Sequence, residues 1–237
     1  MRNLRSVVLV AAGVVSLGAQ APEAAKPFPG AEELLTAADR HRHPWASFQV
    51  EIGLKVTREE QRWRVHSREN GDARVDGLSE KEKGRSVLVL GDDMWLLLPN
   101  TKRPVRVSPQ QRLLGPASGG DIARTRFQED YSAEVTGEET VEGESCHRLE
   151  LKARRPAVAF QKATLWVAKV GRRPVKAEFR MASGKLARTV RFKEGGVVQG
   201  RPVLRSMEVE GSGGKVELRF EKWAPEGVDP AMFKLPE

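Results

Sequence analysis

The chain has 237 residues, 39% apolar and 30% charged, a composition that excludes a disordered tail or a membrane-embedded bundle and allows one large domain or two small ones. Its formal charge of +8 sets 40 basic against 32 acidic residues, which supports solubility and weak attraction to anionic surfaces but does not by itself argue for nucleic acid. A single cysteine, Cys146, excludes an internal disulfide.

Arg2 and Arg5 precede the apolar run SVVLVAAGVVSLGA, which closes on Ala19-Gln20-Ala21. A charged start, a short apolar core and an A-x-A end describe a secretory signal peptide over residues 1–21. The run is short for a transmembrane helix, the alternative being an uncleaved anchor. Pro22 is a poor residue after a cut, so the cleavage site stays open within a few positions. No cysteine ends the run, so lipid attachment is not expected there, and the mature protein is expected free in the periplasm. A Pro-rich spacer follows over 22–30, and residues 31–237 read as one domain.

AEELLTAADRHRH places Leu34, Leu35 and Ala38 at helical spacing, with acids first and bases last as the helix dipole favours. The spacing predicts an amphipathic helix over Ala31–His43, stopped by Pro44. From Trp45 the period becomes two. FQVEIGLKV sets Phe48, Val50, Ile52, Leu54 and Val56 against Gln49, Glu51 and Lys55, and QRWRVHSR sets Trp63 and Val65 against Arg62, Arg64, His66 and Arg68. VKAEFRM alternates Val175, Ala177, Phe179 and Met181 with charge, and VELRFEKW does the same with Val216, Leu218 and Phe220. Such alternation belongs to antiparallel strands with one buried and one wet face. Glycine turns at ENGD, VEGES, ASGK and GSGGK separate them. About ten strands, with almost no helix between them, predict a mainly β, α+β fold: a strongly curved antiparallel sheet forming a half-open barrel.

Two stretches depart from this pattern. GDDMWLLLPN is apolar on both parities, so either both faces are plain core or one face lines a pocket. QRLLGPASGGDIARTRFQED breaks the strand pattern, with DIARTRFQED able to form a short helix; a loop of this length is either a lid, over Leu113–Asp130, or a surface crossover.

MWLLLPNTKRPVRVS resembles the Trp-x-Tyr-x-Pro and basic-strand segment of the LolA-like outer-membrane lipoprotein-sorting proteins. LWVAKVGRRPVKAEFRMASGKLARTVRF is similar to a second stretch of that family, and GVDPAMFKLP to its closing Asp-Pro-x-x-Phe element. Together these run from about Trp45 to the C-terminus. The resemblance implies a half-open antiparallel barrel closed by an N-terminal helix and a helical or loop lid, with an apolar cavity for acyl chains and no enzyme activity. Leu97 stands where the family often has Tyr, and Ala168 where an acid is common. The founding carrier's cavity arginine has no counterpart on the second strand, whose inward positions are Gln61, Trp63 and Val65.

The residues themselves carry little chemistry of other kinds. His41 and His43 cannot stack as helical metal ligands and read as C-terminal cations. No nucleophile elbow, zinc-protease motif or phosphate loop occurs, so neither catalysis, a metal nor a cofactor is expected. Arginines interleaved with glutamates on outer strand faces exclude a nucleic-acid platform. Cys146, in ESCHRLELK, reads as a packed thiol.

Inward parity therefore selects Phe48, Val50, Ile52, Trp63, Val65, Leu88, Leu90, Leu149, Leu151, Phe179, Phe192 and Phe220 as cavity candidates, with Trp95 and Leu97 beneath a lid. Arg188 and Arg205 share parity with apolar neighbours and are candidates, with Phe127, for a lid or latch; slipped register or solvent-reaching ends is the other reading of both arginines. The expected function is a periplasmic, monomeric carrier of lipid or lipoprotein acyl chains toward the outer membrane, with an inner-membrane transporter open as a further partner. The alternative is an interaction or sensor module that docks a membrane-protein partner.

Overall fold

The structure is a computed structural model that describes residues 28–56, 59–101, 103–107, 126–225 and 227–235. The expected leader and spacer, and most of the expected lid over 113–130, lie outside these residues. Helix α1 spans Ala31–Arg40, with Glu32 and Glu33 in its first turn and Arg40 in its last. It ends three residues before the expected His43. Arg42 and His43 instead donate their backbone N–H groups to the Asp39 carbonyl, tightening the chain into a turn ahead of Pro44.

Thirteen described strands form one antiparallel sheet. They are β1 Phe48–Val56, β2 Glu59–Ser67, β3 Ala73–Gly77, β4 Ser86–Leu90, β5 Asp93–Leu97, β6 Val105–Arg106, β7 Tyr131–Val141, β8 Glu144–Ala153, β9 Lys162–Ala168, β10 Pro174–Arg180, β11 Leu186–Val198, β12 Arg201–Gly211 and β13 Gly214–Pro225. A four-residue helix, α2, covers Phe127–Asp130, and 3-10 turns lie at Glu80–Glu82 and Pro230–Phe233. Strand order is β6-β5-β4-β3-β2-β1-β13-β12-β11-β10-β9-β8-β7, so two meanders join where the first strand pairs with the last. The count exceeds the expected ten because strands as brief as β6 carry too few residues to show a period.

The pairing register fixes which residues share a face. Val50, Val65, Val75, Val87 and Leu96 sit opposite one another in sequence across β1 to β5. Val216, Val209, Val190, Ala177, Leu165, Leu149 and Val135 do so across the other meander. The buried members of these two rows belong to one continuous core, which also takes in Leu34, Leu35 and Ala38 of α1. The sheet thus curves around its own apolar face, and α1 lies within the curve.

This register corrects four cavity assignments. Leu88 pairs with Arg74 and Trp95, Leu90 with Asp93, and Leu97 with Ser86, so Leu88, Leu90, Trp95 and Leu97 belong to the outer face. Their neighbours Val87, Val89, Met94 and Leu96 face inward. Both parities of β4 and β5 are apolar, so alternation could not choose between them. The outer face is itself covered, and Leu88 is fully buried. The C-terminal turn packs against β3: Arg74 Nη1 donates to the Met232 carbonyl at 3.2 Å, and the Arg68 guanidinium lies 5.2 Å above the Phe233 ring. His66, read from its parity as water-facing, is buried on this outer face, 4.0 Å from Asp76 Oδ2.

Val175 is a second correction. A register shift between Pro174 and Lys176 moves it away from Ala177 and Phe179. It packs instead with Cys146, Trp166 and Ala168 in a small separate cluster. The Cys146 thiol is buried, and burial pushes its pKa up, as a packed rather than reactive thiol requires.

Candidate functional site

Three segments cover the inner face of the sheet without being strands of it. The first is α1, whose Leu34, Leu35 and Ala38 have no exposure. The second is α2, which buries Phe127 completely. The third is the β8–β9 loop, residues 154–161, which turns Val158 and Phe160 inward. The Tyr131 hydroxyl donates to the Phe160 carbonyl at 3.0 Å and holds that loop down.

Aromatic rings link these covers to the strands beneath. Phe160 lies 5.2 Å from Phe179, Phe127 stacks on Phe179 at 6.4 Å, and Phe192 meets Phe127 edge-on at 6.5 Å. Arg188 stands at the outer end of this run. Its strand register places it between Phe179 and Gly211 on the inner face, and it is only 6% exposed. Its guanidinium rests 5.4 Å from the Phe160 centroid, a cation–π distance. A cleft of about 710 Å³ opens there, walled by Phe160, Met181, Leu186, Arg188 and Gly211. Leu186, on its wall, is an exposed large apolar side chain.

Charged groups fasten the covers at the rim. The Asp39 carboxylate of α1 accepts from the backbone N–H groups of Phe127 and Gln128, both at 2.9 Å. Burial pushes this carboxyl up to about 6, although those two N–H groups and the nearby Arg42 and Arg126 pull it down. Arg42 is buried too, and burial pushes its guanidinium down to about 10 against the pull of Asp39 and Asp130. From the loop, Arg155 Nη2 donates to Asp130 at 2.9 Å and its Nε to Asp92 at 3.0 Å. Arg154 reaches Glu32 on α1 at 2.6 Å. α1, α2 and the loop are thus joined to one another mainly through side chains, with one backbone bond from the Arg154 N–H to the Asp130 carbonyl at 2.8 Å, whereas the strands are joined by backbone ladders.

Phe48, Val50, Ile52, Val65, Leu149, Leu151, Phe179, Phe192 and Phe220 all belong to the inner core, and Trp63 packs half-buried at its margin. In this structure they touch one another and the covers. Arg205 is exposed, lying over Gly196, where an added Cβ would stand 2.6 Å from its Nε. Register shifts around Glu194 undo the parity that had placed it inside. Sequence reasoning missed Phe160, Val158 and Asp39. Phe160 and Val158 sit in a Pro-containing loop with no period, and Asp39 reads as the polar side of a helix. Among the described residues no three His, Cys, Asp or Glu side chains gather as metal ligands, and no helix is long and apolar enough to cross a membrane.

One family model, described as "uncharacterized protein", matches residues 78–236. Among solved structures, a LolA superfamily protein from Nitrosomonas europaea is 30% identical over 87% of this chain and 98% of its own, with a TM-score of 0.77. A DUF1329 family protein from Desulfovibrio piger superposes with a TM-score of 0.73 at 18% identity, over 86% of this chain and 95% of its own. A domain described as an outer membrane lipoprotein-sorting protein, from Vibrio parahaemolyticus, gives 0.69 at 23% identity, over 86% and 97%. Comparison with curated proteins gives no match.

Proposed function

We propose that this chain, which belongs to the LolA superfamily, is an exported, non-catalytic carrier that takes the acyl chains of a lipid or lipoprotein onto the inner face of its sheet and moves them through the periplasm. The observation that carries this reading is the construction of the covers. A continuous apolar sheet face lies under three segments held mainly by side-chain contacts, and a cleft at Arg188 leads to the aromatic run beneath them. The signal-like run at residues 6–21 supports export.

Magnitudes limit the cargo. Re-exposing Leu34, Leu35 and Phe127 costs about 1.5–3 kcal/mol each, and every buried methylene returns about 0.8 kcal/mol. One short chain cannot displace the covers, whereas a chain of about ten or more buried carbons matches their cost. Native mass spectrometry of protein taken directly from cell extract should therefore show a bound long-chain lipid species. Long-chain fatty acid should also displace an apolar fluorescent probe from the purified protein, and hexanoate should not. Folded protein that carries no lipid and binds no probe would end the carrier reading.

A second reading has one observation in its favour. Among the described residues β7 is a terminal strand of the sheet, eleven residues long, with nothing paired on its outer edge. Such an edge can accept a strand from a protein partner. An interaction module would bind that partner with its interior still closed and empty of lipid.

A further inference from the structure

A second cleft, of about 620 Å³, lies away from the Arg188 cleft, where the α1–β1 linker, the β2–β3 turn and the β11–β12 turn meet. Its walls include Arg40, Arg126, Arg201, Trp45, Pro44 and Pro202. The three arginines come from three separate parts of the chain, and two of them are fixed in place by backbone carbonyls. Arg126 donates to the carbonyls of Glu69 and Arg68 at 2.6 and 2.7 Å, and Arg201 donates to that of Pro44 at 2.6 Å.

Many other cations among the described residues sit on carboxylates. Arg62, Arg64 and Lys222 share Glu51; Arg155 holds Asp92 and Asp130; Arg191 holds Glu208 and Glu210. Arg40, Arg126 and Arg201 make no such ion pair among the described residues. The Glu69 carboxylate also lines the cleft and offsets part of their charge, leaving it positive. Guanidinium groups presented without carboxylates suit a phosphate, whose oxygens accept their forked donors.

The remaining wall is apolar. The Trp45 ring lies 6.4 Å from Trp223, which in turn is 5.4 Å from Phe48 and 5.8 Å from Phe220 on the inner face. The Trp223 indole N–H is already bonded to the Leu204 carbonyl at 3.1 Å, so its ring edge has no unmet polar demand. An aromatic path therefore runs from the charged cleft to the sheet core. The β11–β12 turn that supplies Arg201 is a tight one, with both Gln199 and Gly200 at positive φ, so the arginine is presented from a defined position.

We infer that this cleft binds the phosphate head group of an anionic phospholipid, with the guanidinium groups of Arg40, Arg126 and Arg201 on the phosphate and the Trp45–proline wall against the adjoining glycerol and first chain carbons. The site deepens the carrier reading by naming a head group, and rests on it for the role of that head group. Its occupancy does not: among the described residues the cleft is open, so a lipid too short to displace the covers can enter it.

The test uses the full mature chain and short-chain lipids below micelle concentration, read by calorimetry and tryptophan fluorescence. Dihexanoyl-phosphatidylglycerol should bind. Arg40→Gln and Arg201→Gln should each weaken it about tenfold, the worth of one charge-assisted contact. Lys215→Gln, which removes a cation at the distant start of β13, should leave it unchanged. Circular dichroism and melting of every variant establish that it is folded, and Arg40, exposed and without a partner among the described residues, is the substitution least able to unfold the chain. Variants that bind as wild type does, or inorganic phosphate that binds as tightly as the lipid, would overturn the assignment. So would binding to phosphatidylglycerol vesicles with none to the dissolved lipid, which would indicate a membrane surface. Long-chain probe uptake, measured on the same variants, separates this failure from failure of the carrier reading, because it should persist when only the head-group site is wrong.

Discussion

Asp39 holds the start of α2 by two backbone hydrogen bonds while burial raises its carboxyl from the ordinary 3.8 to about 6. An acid whose pKa is raised on folding contributes its stability in the protonated form. That contribution is complete below 3.8 and is lost as pH rises through about 6. Melting temperatures measured from pH 3.5 to 7 should therefore fall more steeply with pH for the native chain than for Asp39→Asn, which keeps an acceptor oxygen but cannot ionise. Parallel curves would show that Asp39 does not titrate in this window. No local pattern marks this residue's role: it lies on the polar parity of α1, and only the approach of Phe127, 88 positions later, brings the backbone donors to it. Arg188 was legible in part. Parity placed it inside, and the structure agrees, whereas the same argument failed for Arg205 because the register shifts at that point and leaves it without a partner across the β11–β12 ladder.

At the scale of elements, the strands follow their alternation wherever one face is polar. β1 and β13 were readable for that reason, and their register brings Leu54 to Leu218 and Ile52 to Phe220 as the pattern requires. β4 and β5 were not, since either face could have been the core. The turn that leads into β4 packs closely on Gly77 at the end of β3. A Cβ there would stand 2.2 Å from the Glu82 carbonyl oxygen, which is backbone and cannot turn aside. Gly77→Ala should displace the 3-10 turn at Glu80–Glu82 and cost about 1–3 kcal/mol, as overpacking does. A lower denaturant midpoint at unchanged slope would show it, and an unchanged midpoint would mean that the turn shifts freely.

In the whole molecule, the pairing of β1 with β13 closes the two meanders into one sheet, and the covers are added to it through side chains. Backbone ladders in the middle of a sheet open only with global unfolding, whereas a short helix held by a few side chains opens locally. Amide exchange should accordingly be slowest in β1, β12 and β13 and faster in α2 and residues 154–161. Saturation with a long-chain lipid should change protection in the covers while leaving the central strands as they were. Equal protection of covers and strands would mean that the interior never opens, and would favour the docking module over the carrier.

The sequence by itself determined the strand-rich class, the antiparallel alternation, the amphipathic helix and the burial of its Leu34, Leu35 and Ala38, because each follows from periodicity over a few neighbouring residues. It determined most of the inner face for the same reason. Only the tertiary structure decided which face of β4 and β5 turns inward and that the C-terminal turn covers the other. It alone also brought Asp39 to α2, and Arg40, Arg126 and Arg201 to one cleft. Those groups lie tens to more than a hundred residues apart, and no local pattern encodes a meeting that depends on how far a thirteen-stranded sheet curves before its covers settle against it.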